Sequence, residues 1–86
     1  MEIIWTQQGS DDFDYWQAND PKIASRVRKL IADTQTTPFA GLGKPEPLGH
    51  QWAGYWSRRI TREHRLVYRV TGKPPTLTIV QCRYHY

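Results

Sequence analysis

Apolar and polar positions in this chain follow two different periods, and the change from one to the other divides it. Glu2-Ile3-Ile4-Trp5-Thr6 is rich in β-formers and predicts a first strand. Ser10 followed by Asp11 and Asp12 reads as a helix start, a cap residue and then acids in the first turn, where the helix dipole favours negative charge. Phe13, Trp16 and Ala18 give that short helix an apolar side. Asp20-Pro21 is a second start signal, with proline at the first helical position. Ile23, Val27, Leu30 and Ile31 then recur at i, i+4, i+7 and i+8, the stripe of an amphipathic helix. Lys22, Arg26 and Lys29 lie off the stripe and read as a solvated face.

From Thr36 to Pro47 the helical period stops. Pro38, Gly41, Gly43, Pro45 and Pro47 predict a stiff loop that carries Glu46 between two prolines. Beyond it the period becomes that of strands. Tyr55–Ile60 and His64–Val70 are joined by Thr61-Arg62-Glu63, a hairpin pattern. In the second of these strands Leu66, Tyr68 and Val70 share one face, and Arg65, Val67 and Arg69 share the other. Gly72-Lys73-Pro74-Pro75 predicts a turn, and Thr76–Arg83 a last strand. The order β-α-α-β-β-β predicts one α+β domain over residues 1–86, an antiparallel-rich twisted sheet with two N-terminal helices packed on one face.

Composition sets limits on this picture. The chain has 86 residues with 38% apolar and 13% aromatic positions, so a few large rings must supply much of a small core. Cys82 is the single cysteine, which excludes an internal disulfide and fits a reducing, cytoplasmic setting. The N-terminus lacks the basic and apolar regions of a secretory signal, and no run is long enough to span a bilayer. Charge is uneven. Residues 1–43 carry four Lys/Arg against six Asp/Glu, and residues 44–86 carry eight against two. A basic second half, mostly arginine, is a hint of a polyanionic partner, although a solvated surface explains it equally well.

The chemistry-bearing residues are Glu46, Arg59, Arg65, Arg83, His85 and Tyr86. The last strand runs directly into Arg83-Tyr84-His85-Tyr86, where a cation, two phenols and an imidazole follow one another. RNA cleavage without a metal needs this kind of set. A base takes the proton of the 2′-hydroxyl, an acid protonates the departing 5′-oxygen, and cations stabilise phosphoryl charge. A carboxylate serves as base, and a histidine, titrating near neutrality, as acid. Each residue also has an ordinary reading: Glu46 as a loop carboxylate, Arg59 and Arg65 as solvated strand residues, His85 as a free side chain, Tyr84 as packing. His50, His64, His85 and Cys82 lack zinc-ligand spacing, no acidic cluster suggests magnesium, and Gly41-Leu42-Gly43-Lys44-Pro45 lacks the phosphate-loop pattern. No cofactor is expected. Cys82, inside an apolar run, is expected to be buried and not nucleophilic.

Several segments carry a more specific resemblance. They are Tyr15-Trp16-Gln17, Thr37-Pro38-Phe39, Gly43-Lys44-Pro45-Glu46-Pro47-Leu48, Trp56-Ser57-Arg58-Arg59-Ile60-Thr61, Glu63-His64-Arg65-Leu66-Val67-Tyr68 and Cys82-Arg83-Tyr84-His85-Tyr86. Over essentially the whole chain the sequence resembles the YoeB toxins of the RelE/ParE superfamily of bacterial toxin–antitoxin systems. The resemblance implies a RelE-like fold and a metal-independent mRNA interferase that cuts mRNA in the A site of the 70S ribosome. It implies Glu46 as general base, His85 as general acid, Arg65 on the phosphoryl charge with Arg59 in support, and Tyr86 positioning the RNA. Lys44 and Arg83 are expected to add contacts to RNA phosphates. A YefM-like antitoxin would silence the toxin, the toxin would form a homodimer, and operator DNA would be bound only together with the antitoxin. One departure stands out: the family commonly has an active-site lysine where this chain has Gly49. A non-cleaving inhibitor of translation that binds the ribosome or nucleic acid is the alternative reading, and the gyrase-inhibiting branch of the superfamily ranks below both.

Overall fold

Two helices cover one face of a five-stranded sheet in the computed structural model, which describes residues 1–84. The elements are β1 (Glu2–Trp5), α1 (Gln7–Asn19), α2 (Pro21–Thr36), β2 (Glu46–Pro47), β3 (Trp56–Arg59), β4 (Arg65–Thr71) and β5 (Thr76–Gln81), with a short 3₁₀ turn at His50–Trp52. The strand order is β1-β5-β4-β3-β2. β5, β4, β3 and β2 are antiparallel neighbours, and β1 joins β5 in parallel, so the sheet is mixed. The α+β reading holds, with one strand more than the sequence suggested.

Cross-strand pairing sorts the side chains onto two faces. Ile3 and Trp5 pair with Leu77 and Ile79, and Leu66 and Tyr68 pair with Arg58 and Trp56. These residues point toward the helices. Leu66, Tyr68, Leu77 and Ile79 pack there against Trp16, Ala24, Val27, Leu30 and Ile31. The predicted α2 stripe is therefore the core contact, and Asp20 caps that helix by accepting from the Ile23 N–H. Burying a Leu or Ile side chain stabilises by about 1.5–3 kcal/mol, more than the ~1 kcal/mol of one cap, so the stripe and not the cap orients α2.

The start of α1 differs from expectation. Thr6, not Ser10, is its N-cap: Oγ1 accepts from the Gly9 N–H at 3.0 Å and donates to the Val80 carbonyl at 2.7 Å. β1 thus passes into α1 without a loop. The Thr6 hydroxyl is also anchored to β5, a contact far along the chain that no local cap pattern contains. Asp12 is buried within α1 and not in a solvated first turn, and Ala18 is exposed. α1 also comes very close to β5. A Cβ on Gly9 would lie 2.7 Å from the Ile79 carbonyl oxygen, so only glycine fits. Along the β4–β5 ladder, β4 advances one residue from Val67 to Tyr68 while β5 advances two, from Gln81 to Ile79. Val80 is the extra residue of a β-bulge, and its carbonyl is the one Thr6 uses.

Candidate active site

The sheet face away from the helices gathers three of the sequence-predicted residues, Glu46, Arg59 and Arg65. Glu46 pairs with Ser57, Ser57 with Val67, and Arg59 with Arg65. Residues paired across strands, and residues two apart along one, share a face. Glu46, Ser57, Arg59, Arg65, Val67 and Arg69 therefore lie on one surface. Ser57 and Val67 are buried in it, while Glu46 and Arg59 are exposed. The result is a closed floor with a charged rim. Strand spacing of about 4.8 Å and a rise of about 3.4 Å per residue put the Cα atoms of Glu46 and Arg65 roughly 12 Å apart.

Glu46 is not in a loop, as the proline-rich sequence suggested, but on the edge strand β2. Proline lacks an N–H, and an edge strand is where that loss matters least. The chain reaches β2 through two consecutive left-handed residues, Gly43 at φ 77° and Lys44 at φ 57°. A left-handed non-glycine residue costs roughly 1–2 kcal/mol, and the bond from the Arg59 N–H to the Gly43 carbonyl, 2.6 Å, helps hold it. Lys44 is exposed at the entry to β2, two residues before Glu46.

Arg58 fixes the loop before β2, and the sequence reading did not single it out. Its side chain is fully buried. The guanidinium donates to Asp33 Oδ2 at 2.6 Å, to the carbonyls of Leu42 and Ala40 at 3.0 and 2.9 Å, to the carbonyl of Thr37, and to Tyr68 Oη at 3.2 Å. Tyr68 Oη donates onward to the Pro38 carbonyl at 2.6 Å. Burial pushes the Tyr68 phenol up from its ordinary value, which keeps it a donor. The Leu42 N–H and then Arg58 hold the Asp33 carboxyl below its ordinary value. The signal for this residue was present: Trp56, Arg58 and Ile60 are in phase on the inward face, and an arginine there needs a buried set of acceptors.

Arg59 and Arg65 face each other as a cross-strand pair. Like charges placed directly opposite destabilise a sheet, so this pair suits an anion bound between them. Arg65 Nη1 is held by three carbonyls of the β3–β4 turn, those of Thr61, Arg62 and His64, at 2.8, 3.1 and 3.1 Å. Its charge is thereby positioned at the start of β4. Arg69, further along the same face, lies over the Tyr55 ring and donates to Tyr55 Oη at 3.1 Å.

Past β5 the chain is held by side chains of α1. The Cys82 N–H donates to Asp12 Oδ2 at 3.0 Å, and the Trp16 indole N–H donates to the Cys82 carbonyl at 2.8 Å. Cys82 is buried as expected, and burial followed by the neighbouring Asp12 pushes its thiol up to about 12, which makes it unreactive. The Arg83 guanidinium lies 3.5 Å from the centre of the Tyr15 ring on α1 and donates to Tyr84 Oη at 3.0 Å. It is engaged on the α1 side and is not brought together with Glu46. The Tyr84 carbonyl accepts from the Arg65 N–H at 3.1 Å, which fastens the last described residue beside Arg65. His85 and Tyr86, the expected acid and RNA-positioning residue, lie outside the described residues. On the helix side, a groove of about 410 Å³ lined by Ile3, Trp5, Phe13, Arg28 and Ile31 contains none of the described candidate residues.

Comparison with known proteins identifies the family and the fold. The family described as the YoeB-like toxin of bacterial type II toxin–antitoxin systems matches residues 5–86. Toxin YoeB of Escherichia coli strain K12 is 55% identical over 86 residues, covering 100% of both chains. The YoeB/ParE toxin from Agrobacterium tumefaciens superposes with a TM-score of 0.98 at 52% identity, covering 100% of both chains. The toxin in the heterotetrameric YoeB–YefM complex from Staphylococcus aureus superposes with a TM-score of 0.89 at 38% identity, covering 100% of this chain and 98% of the other.

Proposed function

Because the chain belongs to the YoeB-like toxins of bacterial type II toxin–antitoxin systems, we propose that it is a metal-independent endoribonuclease that cuts mRNA in the A site of the ribosome. The observation that carries this reading is the shared sheet face, with Glu46 at one edge, the Arg59–Arg65 pair beside it, and the chain fastened to Arg65 at Tyr84. In this reading Glu46 takes the proton of the 2′-hydroxyl, and the freed oxygen attacks the adjacent phosphorus. His85 protonates the departing 5′-oxygen, leaving a cyclic phosphate and a 5′-hydroxyl. Arg65 stabilises the charge gained by the phosphoryl oxygens, and Arg59 supports it. Tyr86 positions the RNA. Lys44, and Arg83 from the α1 side, add positive charge for flanking phosphates.

The same reading includes control by a YefM-like antitoxin and a homodimeric state, which the Staphylococcus aureus YoeB dimer and YoeB–YefM complexes support. Operator DNA is bound only by the toxin with its antitoxin. The test is mRNA cleavage with and without programmed ribosomes, comparing the wild type with Glu46→Ala and His85→Ala. Each variant is expected to lose cleavage while melting at the wild-type temperature. Full cleavage by both would overturn the mechanism. Primer extension separates this reading from a non-cleaving inhibitor, because only cleavage creates defined new 5′ ends.

A further inference from the structure

Tyr84 holds a backbone conformation that its side chain disfavours. Its φ is 62°, in the left-handed region that residues with a Cβ rarely adopt. Such a conformation persists where surrounding groups over-determine it. Two hydrogen bonds do so here. The Tyr84 N–H donates to Nδ1 of His64 at 2.7 Å, and the Tyr84 carbonyl accepts from the N–H of Arg65 at 3.1 Å. The last residue of the β3–β4 turn and the first residue of β4 thus grip both sides of one residue.

His64 is itself rigidly placed. Its N–H donates to Thr61 Oγ1 at 3.2 Å, and its carbonyl accepts from the N–H groups of Ile60 and Thr61 at 3.0 and 3.3 Å. Its ring stands edge-on to Trp16 with centroids 4.7 Å apart, and it lies 5.3 Å from the Tyr84 ring. Trp16 is the residue whose indole holds the Cys82 carbonyl. The imidazole works here through Nδ1, as the acceptor for the Tyr84 N–H. Cys82, Arg83 and Tyr84 lie past the last strand and have no ladder partners. Their course is set by Asp12, Trp16, His64 and the Arg65 backbone.

We infer that His64 is a positioning residue for cleavage: its Nδ1 fixes the turn at Tyr84, the residue that directly precedes His85 in the chain. The inference rests on the proposed role of His85 as general acid. An acid displaced by about 1 Å can lose on the order of 100-fold in rate, which gives a short latch this leverage.

The experiment compares His64→Asn with His64→Leu. Asparagine can place Oδ1 near the position of Nδ1 and restore the acceptor. Leucine keeps bulk against Trp16 without one. Single-turnover cleavage on programmed ribosomes is measured over a range of toxin concentrations, with melting temperatures and hydrogen exchange at the Tyr84 amide recorded for each protein. The expected result is that His64→Leu loses at least about tenfold in maximal rate with unchanged half-saturation, and loses protection of the Tyr84 amide. His64→Asn is expected to keep both within about threefold, in line with an intact acceptor. Wild-type cleavage by His64→Leu would overturn the inference, as would equal loss in both variants at matched stability. His85→Ala is run alongside. If it is inactive while His64→Leu is fully active, the positioning role fails and the assignment of the acid stands. If His85→Ala cleaves normally, the assignment itself falls and takes the positioning role with it.

Discussion

The Arg58 guanidinium lies 2.6 Å from the Asp33 carboxylate, and through that contact strand β3 holds the end of α2. The same group takes the carbonyls of Thr37, Ala40 and Leu42, so one buried cation closes the loop that leads to Lys44 and Glu46. The candidate base is placed by a residue on the opposite face of the sheet.

Replacing Arg58 with methionine keeps apolar bulk and removes every donor. Three carbonyls and the Asp33 carboxylate then lose the guanidinium that gathers them, and acceptors enclosed around the Arg58 site are left without a donor. Arg58→Met is expected to lower the unfolding free energy by more than about 2 kcal/mol, seen as a lower denaturant midpoint, and to abolish cleavage. Arg58→Lys is expected to recover little, since one ammonium cannot span the acceptors that the planar fork reaches. Denaturant titration of both variants tests this.

The Asp33 carboxyl is held below its ordinary value of 3.8, first by the Leu42 N–H and then by Arg58. A depressed folded value means that the unfolded chain binds the proton more readily. The contribution of Asp33 is therefore complete above 3.8 and is lost as pH falls through the lower folded value. Its side chain is 28% exposed, so solvent screens the effect. The stability gap between wild type and Asp33→Asn should stay constant from neutrality down to about pH 5 and shrink below that. A gap that widens on acidification would contradict this account.

Gly9→Ala separates helix propensity from packing. Propensity alone predicts a gain of about 1 kcal/mol in a helix interior. The added Cβ would lie 2.7 Å from the Ile79 carbonyl oxygen, which belongs to the backbone and cannot swing aside. A net loss of about 1–3 kcal/mol is expected, as for overpacking elsewhere. The sign of the change, read from urea melts, decides between the two.

Gly49→Lys tests the departure from the family pattern. Gly49 has φ −115°, and none of the described residues lies within 4 Å of an added Cβ. The substitution should change stability by less than about 0.5 kcal/mol. Gly49 is exposed and follows Glu46 by three residues, so a lysine there would carry charge close to the rim. A charge-assisted phosphate contact worth about 1 kcal/mol would raise the cleavage rate about fivefold. Unchanged cleavage would show that this position does not reach the RNA.

What the sequence alone determined is what depends on near neighbours along the chain. The 3.6-residue stripe of α2, the Asp20-Pro21 start, and the alternation that puts Arg65, Val67 and Arg69 on one face are all local periods, and the structure repeats them. The face shared by Arg59 and Arg65 follows from a short hairpin. The tertiary structure decided everything whose partner lies on a distant element. The Thr6 hydroxyl that caps α1 is anchored in turn to the Val80 carbonyl, and Asp12 is buried where the Cys82 amide, 70 residues away, needs an acceptor. Glu46 joins a strand only because β3 offers it an edge, and Arg58 can be buried only where α2 and its following loop converge. A polar group is tolerated inside only with its partners in place. Those partners are supplied by the fold, and no pattern local to the residue announces them.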